Sequence, residues 1–201
     1  MRVGIALALH GRALSARAVH VGLTNLSVVT ADMNVFAPRR RFDRIVSVEM
    51  FEHIANWRRL LRSVRTWLEN DGRLFLHVFT YRSRCYRFDA TDPNDWIALH
   101  FFTGGLMPAR DLPHRVTPLF SVEEDWRWSG LHYRRTALDW LANFDCARKN
   151  VDVILAQVYR EDAALWRRRV RLLLLATAGL FGHAGDVQWG VGHYRLKPEV
   201  A

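Results

Sequence analysis

Residues 42–80, FDRIVSVEMFEHIANWRRLLRSVRTWLENDGRLFLHVFT, read as strand, helix, strand. Arg44–Val48 (RIVSV) is a short β-branched run of the length a buried parallel strand needs. From Trp57 onward, Trp57, Leu60, Leu61, Val64, Trp67 and Leu68 recur at helical spacing and form one apolar face. Asn70-Asp71-Gly72 is a stop-and-turn signal, and Leu74–Phe79 resumes as a second apolar strand. Such a βαβ unit belongs to an open parallel sheet, whose ligands sit beyond the carboxyl ends of the strands. Glu49, Glu52 and His53 come after the first strand, and His77 stands near the end of the second. Three titratable groups in EMFEH, directly after an apolar strand, are costly to place there for packing alone.

Upstream, Met1–Leu9 is apolar and reads as strand or helix. Gly11–Val21 reads as a helix capped by Gly22. Ser27–Thr30 is a strand leading into Asp32 and Met33. A carboxylate just past a parallel strand can accept a hydrogen bond from a nucleotide amine or hydroxyl, and Asp is equally an ordinary turn residue. Downstream, Tyr81–Leu119 is irregular and aromatic, punctuated by Pro93, Gly104-Gly105, Pro108, Pro113 and Pro118. Residues 81–120 form an insertion after a strand end, read either as a substrate-pocket or lid segment or as a loop folded onto the core. Ser121–Gly130 reads as a strand, Tyr133–Phe144 and Val151–Phe181 as helices, and Val187–Leu196 as a closing strand after a break at Gly182–Asp186.

The 201 residues suit one domain, and 50% hydrophobic residues with eight Trp exclude a disordered chain. The net charge of +9 rests mostly on arginines spread along the chain. It reads as a solvated surface or as peripheral contact with anionic phospholipid. No nucleic-acid recognition motif is present. Two distant cysteines, Cys85 and Cys146, have no metal-ligand spacing and fit a reduced, cytoplasmic protein. Glu49 and His53 stand four apart, but no second histidine completes an HExxH-type set, so no metal is assigned. The N-terminus lacks the regions of a secretory signal, and the apolar run Leu172–Phe181 is about half the roughly 20 residues of a membrane span.

The order strand, acidic residue, strand, EMFEH, helix, strand resembles a class I S-adenosylmethionine-dependent methyltransferase. More narrowly, FDRIVSVEMFEHI, LFLHVFTYRS, DWIALHFFTGGLMP, VEEDWRWSGLHYRRTALDWL and VQWGVGHYRLK are similar to the cyclopropane-fatty-acid synthase and coclaurine N-methyltransferase family. The likeness runs from about Leu23 to Lys197, with separated motifs in the right order. It implies a Rossmann-like α/β fold, a mostly parallel sheet with an antiparallel last strand, and S-adenosylmethionine as cofactor. By the same resemblance Asp32 meets the adenine amine, with Met33 beside it, and Glu49, Glu52 and His53 approach an amine substrate. In the cyclopropane branch, Glu52, His77 and Tyr133 match residues that hold a bicarbonate base. Phe101 and Trp189, the latter near a substrate-gating tryptophan, are the implied substrate contacts.

One departure stands out. The family's GxGxG turn is missing, and Arg2–Ala6 resembles the second strand of the fold, not the first. The cysteine that completes the bicarbonate site belongs to that turn. The acidic residue that would bind ribose is not recognisable in Ala6–His10. The expectation is therefore a fragment, the C-terminal two-thirds of an enzyme without its first strand. Methyl transfer is an in-line displacement that depends on alignment. An amine acceptor needs a carboxylate or His to hold it and take its proton. A lipid alkene needs a base to remove a proton during ring closure. Both acceptors remain open, as does a different class: an inactive relic or interaction module. Without the resemblance, Glu52 and His53 have a helix-start carboxylate and capping histidine as an alternative reading, His77 is open between a site residue and a core histidine, and Tyr133 and Trp189 read as core aromatics.

Overall fold

A computed structural model of the chain describes residues 3–6, 11–116 and 118–199. Contacts divide the chain into units of residues 1–41 and 42–201. In the first, β1 (Val3–Ala6) pairs in parallel with β2 (Leu26–Val29), from Val3↔Leu26 to Ala6↔Val29. Helix α1 (Gly11–His20) connects them in sequence. It ends where the glycine predicts: Gly22 has φ +74°, its N–H donates to the Val19 carbonyl, and the Leu23 N–H donates to that of Ala18. That is the left-handed cap glycine takes without a Cβ clash. Past β2, Asp32 Oδ1 accepts from the Asn34 amide (2.8 Å) and the Asn34 side chain (2.9 Å), closing a turn. The stretch 7–10, read for a ribose-binding acid, lies outside the described residues.

In the second unit the RIVSV run becomes β3 (Phe42–Val48). Helix α2 (Trp57–Trp67) comes next, its first turn capped by the Asn56 side chain, which accepts from the Arg59 N–H at 3.0 Å. Trp57, Leu60, Leu61, Val64 and Trp67 are buried, the face the spacing predicts. Burying side chains of this size contributes about 1.5–3 kcal/mol each. The Trp57 indole N–H is satisfied by the Phe51 carbonyl at 2.9 Å.

Strand β4 (Leu68–Tyr81) begins directly after α2 and pairs in parallel with β3. Asn70-Asp71-Gly72 does not stop the chain as its turn chemistry predicts. The register jumps from Phe42↔Leu68 to Arg44↔Arg73, so residues 69–72 leave the ladder as a bulge. Gly72 allows it: a Cβ there would lie 2.7 Å from Leu68 Cγ and 3.0 Å from the Asp43 carbonyl oxygen.

Residues 81–119 hold more regular structure than their composition suggests: β5 (Tyr86–Arg87), α3 (Trp96–His100), β6 (Leu106–Met107) and α4 (Leu112–Arg115). Strands β5 and β6 pair antiparallel, and Tyr81 and Arg110 anchor the segment to β4: the Tyr81 N–H donates to Pro108 O, and the Arg110 N–H to Tyr81 O.

Strand β7 (Phe120–Ser129) leads into α5 (Gly130–Cys146). The span read as one helix, Val151–Phe181, is two: α6 (Arg148–Tyr159) and α7 (Ala163–Gly182), parted by a 3-10 turn at Arg160–Asp162. Arg160 takes φ +50°, and the break lets Tyr159 stack on Trp166 (4.2 Å) and Asp152 pair with Arg167 (3.4 Å). Strand β8 (Trp189–Pro198) closes the chain. The sheet order is β3-β4-β8-β7, with β8 antiparallel to both neighbours. Thus β3, β4 and β7 run one way, and the last strand runs against them from inside the sheet. Leu74, Leu76, Val78, Tyr194 and Leu196 alternate into its core. No helix among the described residues is long and apolar enough to cross a membrane.

Candidate active site

Parallel pairing sets Val48 opposite His77, so the residue after β3 arrives beside the end of β4. That residue is Glu49, in the left-handed region at φ +50°, its N–H donating to the His77 carbonyl at 3.1 Å. A non-glycine residue held there stores strain of about 1–3 kcal/mol. The kink turns the chain into the 3-10 turn Phe51–His53 and brings the Glu49 carboxylate to two partners. His77 Nε2 lies 3.0 Å from Oε1, and the Tyr133 hydroxyl donates to Oε2 at 3.0 Å. Tyr133 comes from the first turn of α5, its ring stacked on Phe181 at 4.3 Å. Burial, and then the charges of Glu49 and Glu52, push its phenol far above the ordinary range, so it stays a donor.

Glu52 is the opposite case. It is 0% exposed, and neither carboxyl oxygen has a hydrogen-bond partner among the described residues. Burial, reinforced by the charge on Glu49, raises its pKa from 4.5 to about 8. The amides of Glu52 and Phe79 offset part of that rise without being placed to hydrogen-bond the group. Two carboxyls thus share one site in different states, Glu49 as a paired carboxylate and Glu52 as a neutral acid at pH 7.

The second ring nitrogen of His77, Nδ1, lies 2.8 Å from Nε2 of His193, its register partner on β8. His193 packs between Trp128 (5.0 Å) and Phe75 (5.4 Å). Burial, and then His77, lower its pKa. The sequence pattern does not single out His193; only the long-range β4–β8 register reveals it.

His53 is exposed and stacks flat on Phe102, 5.0 Å between centroids at 9°. Phe102 also meets Phe88 (4.9 Å) and Phe79 (6.1 Å). It belongs to an aromatic cluster built on Phe79, Met107 and Phe181, against which Tyr81, Tyr133 and Trp189 pack. Phe101 lies elsewhere, against Trp96 and Trp166. Trp189 sits 5.0 Å from Tyr81, with its indole N–H directed at the Tyr86 hydroxyl (3.5 Å). The structure therefore gathers Glu49, Glu52, His77 and Tyr133, with His53 reaching the cluster through Phe102. Asp32 and Met33 lie in the first unit.

The sequence profile described as mycolic acid cyclopropane synthetase matches residues 4–171. The chain is 31% identical over 184 residues to (S)-coclaurine N-methyltransferase from Papaver somniferum, covering 87% of this chain and 51% of the relative. It is 32% identical over 155 residues to cyclopropane-fatty-acyl-phospholipid synthase from Escherichia coli K12, covering 75% of this chain and 37% of that protein. A crystal structure of coclaurine N-methyltransferase bound to N-methylheliamine and SAH superposes with TM-score 0.89 at 25% identity, over 98% of this chain and 58% of that one. A cyclopropane synthase from Mycobacterium tuberculosis shares the fold, with TM-score 0.71 at 18% identity, over 98% of this chain and 70% of that one. The chain spans about half the length of the coclaurine N-methyltransferase it matches. With its Rossmann-like sheet of class I methyltransferase type, it belongs to the mycolic acid cyclopropane synthetase family.

Proposed function

We propose that this chain carries the acceptor side of an S-adenosylmethionine-dependent methyltransferase whose acceptor is a small amine. The observation that carries the amine reading is the use of donors at Glu49. Tyr133 and His77 are both spent on that carboxylate, although a bicarbonate ion serving alkene chemistry would need them. An ionised Glu49 beside a neutral Glu52 offers one negative charge at the edge of an aromatic cluster. That combination attracts an ammonium by Coulomb and cation–π interaction.

The cofactor, when bound, supplies a methyl group on a sulfonium. Among the described residues Asp32 fits its adenine end: the carboxylate is exposed, and only Oδ1 is engaged. Asp32 and Met33 would hold that end. The sequence has no GxGxG turn for the methionine end. On the acceptor side, Glu49 holds the ammonium with its remaining lone pairs. It takes the proton as the N–H bond breaks and an O–H bond forms, which frees the nitrogen lone pair for attack. Tyr133 and His77 keep the carboxylate aimed. Residues 81–120 act as the pocket segment, with Phe102, stacked on His53, and Trp189 limiting water access.

The test supplies the full chain with methyl-labelled S-adenosylmethionine and either an aryl-substituted secondary amine or vesicles of unsaturated phospholipid. Label in the N-methylated amine, lost in Glu49→Gln, is expected. Label in the acyl chains would instead establish the lipid as acceptor. A folded chain that labels neither would overturn the methyltransferase reading of this chain.

A further inference from the structure

His193 is drawn into the site by a single contact, and that contact constrains what it can do. Glu49 Oε1, His77 Nε2, His77 Nδ1 and His193 Nε2 form one line, with gaps of 3.0 Å and 2.8 Å. A nitrogen-to-nitrogen gap of 2.8 Å holds one proton, because two N–H groups cannot face each other there. With Glu49 ionised, His77 donates from Nε2 to Oε1, so its Nδ1 must either accept from His193 or carry a second proton and donate to it. His193 satisfies both states by changing tautomer, its single proton on Nε2 in the first and on Nδ1 in the second. His193 Nδ1 has no hydrogen-bond partner among the described residues, and its ring is half-buried, so it exchanges protons with water.

We infer that His193 is a positioning residue that forms a one-proton pair with His77. The pair holds the His77 ring against Glu49 in both its neutral and its protonated form, and so sets how much uncompensated negative charge the site offers a cationic acceptor. This rests on the reading of Glu49 as the group that holds the amine.

The proton balance is simple. Uptake of one proton from water forms a bond at His193 Nδ1. The proton between the rings moves from His193 Nε2 to His77 Nδ1, and the pair gains one positive charge beside Glu49. Among the described residues the titratable groups tied to the pair are Glu49 and, through it, Tyr133 and Glu52, while Arg195, two residues along the same face of β8 and opposite Phe75, is paired with Glu123 and Glu124. From β4 and β7 the pair is faced by uncharged Phe75, Trp126 (the register partner of His193) and Trp128, and behind Trp128 stands His132. Arg127 stands opposite Gly192 in the ladder and alternates to the other side of the sheet. Burial and His77 both disfavour a charged His193, which fits the tautomer change.

The experiment is 15N NMR of histidine-labelled full chain across pH, with neither cofactor nor acceptor added, so its outcome is independent of methyl transfer. At neutral pH both rings are expected as Nε2–H tautomers. On acidification, His77 gains its Nδ1 proton at the same midpoint at which His193 switches to Nδ1–H. In His193→Phe the hydrogen-bonded Nε2–H signal of His77 is lost to exchange, and in His193→Gln, which can donate or accept, it returns. Separate midpoints for the two rings, or an unchanged His77 signal in His193→Phe, would overturn the assignment. Should the Phe variant not fold, the wild-type titration decides alone.

Discussion

Gly105 lies against the backbone of Glu52 so closely that a Cβ on it would overlap the Glu52 carbonyl oxygen and come within 3.1 Å of His53 Cα. Gly105 of the aromatic insertion is thus the seat of the turn that carries both residues. Gly104, one residue earlier, has nothing within 4 Å of the same position. Gly105→Ala is expected to destabilise by about 1–3 kcal/mol through overpacking and to displace Glu52. Gly104→Ala is expected to be neutral, or stabilising by about 0.4–1 kcal/mol. Denaturant titration of the two variants separates them.

The buried acid makes stability depend on pH. Unfolded, Glu52 ionises near its ordinary value of 4.5; folded, it keeps its proton to about 8. Between those values the folded state binds more protons than the unfolded, so stability falls as pH rises. Its contribution is full below 4.5 and lost by about 8, with a slope of at most about 1.4 kcal/mol per pH unit. Unfolding free energies measured at several pH values should show this decline in the wild type and a flatter profile in Glu52→Gln.

Tyr133 serves two networks, hydrogen-bonding Glu49 and stacking on Phe181. Tyr133→Phe removes the first and keeps the second. Loss of a hydrogen bond to a charged group is worth about 1.5–3 kcal/mol. The methyl transfer proposed for the site is therefore expected to fall about tenfold to a hundredfold, while the melting temperature falls by about 3–12 °C. Rates and melting curves on one sample test the split.

Much of this was legible because adjacent parallel strands deliver their ends side by side. Reading β3 and β4 from RIVSV and LFLHVF was enough to place Glu49 near His77. His193 was not legible. Within VQWGVGHYRL it is one more alternating strand residue, and its meaning comes from a register with β4 that joins positions 116 residues apart. Phe101 and Phe102 are adjacent and chemically alike, and only packing decides that Phe102 faces His53. The break at Arg160 has no Gly or Pro to announce it. The acidic pair Glu161-Asp162 ahead of Ala163 was the available signal, since acids favour a helix N-terminus. Asn70-Asp71-Gly72 showed the reverse fault: turn chemistry was present, but parallel pairing continued past it as a bulge.

Asn56 links the EMFEH turn to α2 through its cap on Arg59. Asn56→Ala is expected to lower stability by about 1 kcal/mol, with Asn56→Asp restoring it. Thermal melts of both variants check this.

The measurement that bears most directly on the site is the protonation of its two carboxyls, tracked by 13C NMR of glutamate-labelled full chain across the acid-to-alkaline range. At neutral pH the expected spectrum has Glu49 as a carboxylate and Glu52 as a carboxylic acid. The Glu52 midpoint should lie near 8 and fall in Glu49→Gln, because the neighbouring charge helps to raise it. Two ionised carboxylates at neutral pH, with Glu52 titrating near 4.5, would contradict the proposal that the site offers a single negative charge to an amine.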